Sequence, residues 1–191
     1  MRYADLAPKI ISAAEAAAVF ARGGVIAYPT ETVWGIGCDA TRSDAVRRIF
    51  EIKHRAEAKA LITLVQNIAM LERWVDDIPE VGYQLLEAAV HPLTIVYDSP
   101  RGLAPELLAP DGSAGVRVVP LPLFGSWHKP IVSTSANISG QPAPRRIEEL
   151  SPEIVDAVDA IVDPRDAPAA AGRPSTVIKL SAGGLFKILR P

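Results

Sequence analysis

The apolar residues of this chain fall into short runs of strand length, separated by stretches with helical spacing. Runs such as 25–28 and 93–97 lie between glycine, proline or polar residues, which is typical of strands in a buried sheet. The predicted strands are 25–28, 61–65, 93–97, 115–119, 131–133, 160–162, 175–180 and 184–189.

The stretches between these runs carry the signals of helix starts and ends. Ser12 and Glu15 have the spacing of a capping box before an alanine-rich stretch, which Gly23 and Gly24 end. Ser43 is predicted to cap a second helix, and further helices are predicted from Asn67, from Pro79 to about Val90, and over 147–158. Because helices and strands alternate, we predict an α/β fold with helices packed on a sheet. The last two strands have no helix between them, so the sheet should be mixed.

Composition narrows this picture to one ordinary globular domain. The chain has 191 residues, of which 49% are hydrophobic, and no repeat or linker divides it, so we expect a single domain over 1–191. The net charge of −2 argues against nucleic-acid binding as the sole activity. Cys38 is the one cysteine, so no internal disulfide can form.

No apolar run approaches the roughly 20 residues of a bilayer span. The start lacks a secretory signal, so we expect a cytoplasmic protein without a membrane partner.

The first candidate for chemistry is the polar stretch that follows the strand at 25–28. Positions 28–37 read YPTETVWGIG, with two threonines and a glutamate before two glycines. One hypothesis is an ordinary loop with a β-turn. The other is a ligand loop, in which hydroxyl groups donate and the backbone approaches closely at glycine.

A second candidate is the cationic stretch Lys53, His54 and Arg55, with Lys59 shortly after. If the helix ends near Lys53 and the chain runs extended, Lys53 and Arg55 project to the same side and could hold a polyphosphate. Alternatively, these residues form a solvated helix end, where the helix dipole favours cations.

Two more polar stretches follow predicted strands, where α/β proteins place their ligands. Positions 133–140 read STSANISG, which offers hydroxyl and amide groups without charge and lacks the Walker pattern. Positions 172–178 read GRPSTVI, and Arg190 lies near the end of the sequence. Arg117 lies between valines in a predicted strand, so it should face solvent or a ligand cleft. Each stretch alone could be an ordinary turn.

Taken in order, these stretches resemble the threonylcarbamoyl-AMP synthase family, also called YrdC-like. The matching motifs are PTETVWGIG at 29–37, K-x-R at 53–55, GVRV at 115–118, STSANISG at 133–140, STV at 175–177 and LR at 189–190. The chain departs from the family at Ala56 and Ala60, where the family has proline, and around His91. The resemblance implies a twisted, open mixed sheet with helices packed on it.

The resemblance also implies a reaction and a set of roles. ATP, L-threonine and bicarbonate would give L-threonylcarbamoyladenylate and pyrophosphate, for use in threonylcarbamoyladenosine modification of tRNA by downstream threonylcarbamoyl-transferase proteins. The implied catalytic residues are Lys53, Arg55, Ser135 and Asn137. The implied ATP-binding residues are Arg55, Lys59, Ser113, Ser135 and Arg190. The implied threonine-binding residues are Thr32, Arg117, Ser133 and Ser175.

Mg²⁺ is the expected cofactor, held with ATP mostly by phosphate oxygens and water. His54, His91 and His128 are scattered, so we expect no protein metal site. Because polar residues that line a cleft leave no apolar cavity, we expect Lys53→Ala and Arg55→Ala to change stability by less than about 1 kcal/mol while activity falls.

Two other functions are compatible with the same motifs. The first is an RNA-binding YrdC-like module without synthase activity. The second is a relative that uses carbamoyl phosphate, but such proteins carry this module in a longer chain with zinc fingers, and a single cysteine excludes those fingers.

Overall fold

A computed structural model describes residues 6, 9–54, 61–98, 100–166 and 174–191. Within these residues the strands are β1 (Ile10–Ile11), β2 (Ile26–Pro29), β3 (Trp34–Gly37), β4 (Ile62–Val65), β5 (Leu93–Tyr97), β6 (Ala114–Val118), β7 (Ile131–Ser135), β8 (Ala160–Val162), β9 (Thr176–Leu180) and β10 (Phe186–Arg190). The α-helices are α1 (Ala16–Ala21), α2 (Ser43–Ile52), α3 (Ile68–Trp74), α4 (Glu80–Ala88) and α5 (Pro152–Ala157). Short 3₁₀ helices span Ala13–Glu15, Pro105–Leu107, Pro122–Gly125, Ile147–Glu149 and Pro164–Asp166.

The strands form one mixed sheet in the order β1-β8-β2-β3-β7-β4-β6-β5-β9-β10. Four pairs are parallel, among them β4 with β6 and β5 with β9. The other pairs are antiparallel, including β9 with β10, which confirms the prediction of a mixed sheet. β7 lies between β3 and β4, where Gly35 is opposite Ser135 and Ile62 is opposite Ser133. This register places the polar end of β7 near the middle of the sheet.

Alternate residues of the buried strands face two hydrophobic cores, one on each side of the sheet. In β2, Ala27 faces one core, whereas Ile26 and Tyr28 face the other. The predicted apolar face of α2, with Val46 and Ile49, packs into the first core. Helices therefore pack on both faces of the sheet.

Two of the predicted helix starts are confirmed at the level of single hydrogen bonds. The backbone N–H of Ser12 donates to Glu15 Oε2 at 2.8 Å, which completes the capping box. Asn67 Oδ1 accepts from the N–H of Met70 at 2.8 Å and caps α3. Ser43, in contrast, is the first residue of α2, and Arg42 occupies the cap position. No helix among the described residues is long and apolar enough to span a bilayer.

Two predicted elements were wrong. The single helix expected over 147–158 is a 3₁₀ turn followed by α5, because Pro152 holds Ser151 in an extended conformation (ψ 149°) and Ser151 then caps the new helix. The glycine-containing stretch 34–37, expected as a loop, is strand β3.

Candidate active site

A cleft of about 430 Å³ opens where the polar stretches meet above the middle of the sheet. It is lined by Thr30, Thr32, Val33, Gly35, Leu61, Ile62, Arg117, Ser133, Thr134, Ser135, Ala143, Arg145, Pro174, Ser175 and Arg190. Six of the residues predicted from sequence therefore meet in one place, namely Thr32, Arg117, Ser133, Ser135, Ser175 and Arg190. They come from five separate stretches of the chain.

The hairpin turn between β2 and β3 brings Thr32 to the cleft. Thr30 Oγ1 donates to the carbonyl of Val33 at 2.7 Å and accepts from the N–H of Thr32 at 3.1 Å. The two threonine hydroxyl oxygens are 2.9 Å apart. Thr30 therefore shapes the turn, a role that the sequence prediction missed.

The two glycines of β3 have different neighbours. Gly35 lines the cleft, as a ligand loop requires. A Cβ on Gly37 would lie 2.2 Å from the carbonyl oxygen of Val132 and 2.9 Å from Cε1 of Tyr28. The close approach at Gly37 is therefore to a neighbouring strand and a core side chain, and not to a ligand.

Lys53 is buried behind the cleft wall and does not line the cleft. Its side chain enters the interior at the end of α2, where the residue is 2% exposed. The ammonium group donates to the carbonyls of Ser135 at 2.5 Å and Asn137 at 2.7 Å. The N–H of Ser139 donates to the Lys53 carbonyl at 3.0 Å. The buried cation thus organises the backbone that carries Ser135.

The helix does end near Lys53, as one hypothesis required, but the next residue, His54, is not extended. His54 has φ 48°, a left-handed conformation that turns the chain at the helix end. His54 also pairs with Glu153 at 3.1 Å. Arg55 and Lys59 lie outside the described residues, as do Gly172 and Arg173.

Asn137 and Ser113 also lie away from the cleft lining. Asn137 Nδ2 donates to the carbonyls of Ile138 at 2.9 Å and Gln141 at 2.7 Å, so its amide holds the turn after β7. Its Oδ1 is buried without a hydrogen-bond partner among the described residues. Ser113 is 3% exposed, and its hydroxyl donates to Asp111 Oδ1 at 2.6 Å.

Arg117 is a buried cation on the floor of the cleft, paired with Glu31. Its side chain is 8% exposed, and a guanidinium N–H donates to Glu31 Oε1. Burial lowers the pKa of the Arg117 guanidinium, an effect that the neighbouring Tyr28 opposes. An arginine nevertheless stays protonated, and its remaining donors can serve a second carboxylate from the cleft side. Arg117 and Glu31 also border a second cavity of about 470 Å³ beside α4.

The far side of the cleft is built by β9 and β10. Ser175 is buried, and its hydroxyl lies 2.9 Å from Thr94 Oγ1. Arg190 is exposed, and it donates to the Ser175 carbonyl at 2.8 Å. The guanidinium is therefore anchored at the cleft edge.

Among the described residues, Cys38 and the acidic side chains form no further reaction centre. Cys38 is fully buried in the hydrophobic core, and burial raises the pKa of its thiol. Histidine, cysteine and acidic side chains nowhere cluster into a metal site within the part of the chain that the structure describes.

Comparisons with known proteins agree with this geometry. A family model for Sua5, YciO and YrdC proteins, described as telomere recombination, matches residues 18–191. The threonylcarbamoyl-AMP synthase of Xanthomonas campestris pv. campestris (strain B100) is 38% identical over 160 residues, which cover 78% of this chain and 83% of that protein. The protein of the same name from Xylella fastidiosa (strain 9a5c) is 35% identical over 160 residues, which cover 80% and 86%.

Solved structures share the whole fold. P. abyssi Sua5 complexed with L-threonine superposes with a TM-score of 0.81 at 31% identity, over 95% of this chain and 57% of that one. This chain thus spans somewhat more than half the length of that protein. E. coli YciO, at 22% identity and a TM-score of 0.77, shows the same fold. Because the family model covers most of the sequence and relatives above 30% identity align along it, this chain belongs to the Sua5/YciO/YrdC family.

Proposed function

We propose that this chain is a threonylcarbamoyl-AMP synthase, which makes L-threonylcarbamoyladenylate and pyrophosphate from ATP, L-threonine and bicarbonate. The observation that carries the proposal is a single cleft that combines a buried arginine, a row of hydroxyl groups and a second arginine at its edge. Curated relatives with this name and a threonine complex of a related protein support the same activity.

The threonine end of the reaction belongs at Arg117. Its planar guanidinium would take the threonine carboxylate, while hydroxyls of Thr32, Ser133 and Ser175 hold the rest of the amino acid. Bicarbonate takes up a proton and loses water to give carbon dioxide. The threonine amine loses a proton and attacks this carbon dioxide, and the nitrogen loses a second proton as the carbamate forms. This step needs positioning more than covalent help from the protein.

The nucleotide end of the reaction belongs at the polar end of β7. A carbamate oxygen attacks the α-phosphorus of ATP, and the bond to the bridging oxygen of pyrophosphate breaks. Ser135 would donate its hydroxyl to the α-phosphate, and Arg190 would lie beside the nucleotide. Lys53 and Asn137 would act through Ser135, because both hold the backbone that leads out of β7.

Arg55 and Lys59 are proposed to bind the phosphates, and Ser113 to contribute to the nucleotide site. Leu61, the first described residue after the cationic stretch, lines the cleft, which supports the proposal that Arg55 and Lys59 bind the phosphates. Mg²⁺ would enter with ATP, bound mainly by phosphate oxygens and water, which suits a cleft of hydroxyl groups. When bound, it would neutralise charge on the phosphates. We further propose that other proteins transfer the activated threonylcarbamoyl group to tRNA.

The test is pyrophosphate release by the purified protein, with ATP, bicarbonate and L-threonine omitted one at a time. We expect release to require all three compounds, with a product of the mass of L-threonylcarbamoyladenylate. Serine should react less well, since one methyl group is worth roughly 1–3 kcal/mol in an apolar pocket. Ser135→Ala should lower turnover about 100-fold with an unchanged melting temperature.

Arg101→Ala is a matched control, because Arg101 is exposed, pairs with Asp76 and does not line the cleft. This variant should turn over like the wild type. Pyrophosphate release that ignores threonine would refute the proposed function.

A further inference from the structure

Arg145 lines the substrate cleft, although no motif singled it out. Its side chain is exposed, and its guanidinium makes no hydrogen bond or ion pair to a described residue. The next residue, Arg146, behaves as surface arginines usually do, with Nε 3.0 Å from Glu149 Oε1. Two adjacent arginines on one turn therefore have different surroundings.

The backbone at Arg145 is fixed on both sides. The N–H of Arg145 donates to Glu149 Oε2 at 2.8 Å. The carbonyl of Pro144 accepts from the N–H of Trp34 at 2.8 Å, which ties the segment to β3. A ligand that binds the guanidinium thus orders only the side chain, which lowers the entropy cost of binding.

The other two arginines of the described cleft wall already have partners. Arg117 is paired with Glu31, and Arg190 donates to the carbonyl of Ser175. Arg145 can therefore present its whole planar fork to an anion, which is the geometry that phosphate oxygens accept best.

The order of the strands indicates which part of the substrate lies at Arg145. Arg117 is on β6, Ser133 and Ser135 are on β7, and Arg145 is tethered to β3. From β6 through β4 and β7 to β3 the sheet advances by three strand spacings, or about 14 Å. In the reactants, the threonine carboxylate, the carbamate and the α-phosphate follow one another, and the β- and γ-phosphates extend beyond them.

We propose that Arg145 binds the β- and γ-phosphates of ATP and holds pyrophosphate as it leaves. This inference rests on the proposed function, because it takes Arg117 as the threonine end and Ser135 as the α-phosphate position. It assigns Arg145 a role in binding the leaving group, separate from recognition of AMP or threonine.

The test measures direct binding of ATP, AMP and inorganic pyrophosphate by calorimetry to wild type, Arg145→Ala, Arg145→Lys and Arg146→Ala. We expect Arg145→Ala to weaken ATP and pyrophosphate about tenfold and to leave AMP binding unchanged. Arg145→Lys should fall between, because an ammonium keeps the charge but not the fork. Arg146→Ala should bind all three compounds like the wild type.

Kinetics give a second readout in the same variants. Arg145→Ala should raise KM for ATP and weaken product inhibition by pyrophosphate, with KM for threonine unchanged. Equal loss of ATP and AMP binding would overturn the inference, since it would place Arg145 at the nucleoside or α-phosphate. Unchanged binding of all three compounds would also overturn it, as expected of a solvated arginine.

If the alanine variant melts early, Arg145→Gln replaces it in the same measurements. The wild-type assay separates the two proposals. A wild-type protein that binds ATP but shows no threonine-dependent turnover contradicts the proposed function, whereas the comparison of ATP with AMP still decides the role of Arg145.

Discussion

At the scale of single residues, Lys53 shows how a charge can serve a site from the interior. Its ammonium group faces two main-chain carbonyls at the end of β7, and their dipoles compensate the cost of burying the cation. The sequence placed Lys53 in the cleft and predicted a stability change of less than about 1 kcal/mol for its removal. The 2% exposure of Lys53 contradicts the cleft position on which that stability prediction rests.

Lys53→Ala should therefore unfold more easily as well as turn over more slowly. Truncation removes the ammonium donor from the carbonyls of Ser135 and Asn137 and opens a cavity in the interior, so we expect a loss of about 3 kcal/mol in the free energy of unfolding. Urea unfolding followed by circular dichroism measures this change. Lys53→Met, which keeps most of the volume, should recover only part of the loss.

Lys187→Ala is the control, because Lys187 is exposed on β10 and should unfold like the wild type. A Lys53→Ala protein with the wild-type urea midpoint would show that the turn keeps its shape without the ammonium group.

The predicted site residues that line the cleft differ from those that do not in what determines the direction of their side chains. Thr32, Arg117 and Ser135 follow from motif positions next to strands, where the strand determines their direction. Lys53 lies at the end of α2 and turns inward to the carbonyls of Ser135 and Asn137, a contact between distant segments that no local pattern specifies. Arg145 was missed because it is distinguished only in the folded protein, where its guanidinium lines the cleft and pairs with no described residue.

At the scale of elements, β3 depends on glycine for its place between β2 and β7. The Gly37 Cα faces the Val132 carbonyl and the Tyr28 ring so closely that no side chain fits. β3 therefore requires glycine at position 37 for packing, although the sequence of 34–37 is also compatible with a loop.

Gly37→Ala should destabilise the protein by about 2 kcal/mol or more, because overpacking displaces β7 or the Tyr28 ring. Thermal melting with a van't Hoff analysis measures the change. Gly125→Ala is a matched control, since its Cβ would meet nothing within 4 Å. Comparable melting of both variants would mean that β3 and β7 can separate at little cost.

Element prediction succeeded where the signal is local. The runs at 93–97 and 160–162 were predicted with the observed bounds, because length and apolar character are sufficient for buried strands. The two-residue β1 leaves no pattern to detect, since its pairing with β8 arises only in the folded sheet. Over 147–158, the sequence predicted one helix, but Pro152 begins a new helix there and the preceding residues form a separate 3₁₀ turn.

At the scale of the whole molecule, the interior strands of the sheet are buried, whereas the strand at one edge is exposed to solvent. β2 is buried along its length, whereas every residue of β10 is exposed. Ile188 is 58% exposed and Leu189 is 52% exposed, although both are apolar. β10 pairs with β9 on one side only and forms the end of the sheet.

Amide hydrogen exchange should follow this gradient. We expect the amides of β10 to exchange at least about 100-fold faster than those of β2, because edge strands open locally while buried strands need global unfolding. Mass spectrometry of peptides from the labelled protein measures both strands. Equal protection of β10 and β2 would mean that another chain covers the edge in solution.

The strand order also determines whether the catalytic unit can be divided. Thr32 and Arg190 are separated by most of the sequence, and β8 lies between β1 and β2 although it follows both by more than a hundred positions. A cut anywhere between Thr32 and Arg190 therefore splits the cleft wall between two fragments. A cut between Ser135 and Ser175 would divide both the proposed threonine-binding residues and the proposed nucleotide-binding residues between the two fragments. Activity should therefore return only when both fragments reassemble into one sheet, and neither fragment should be active alone.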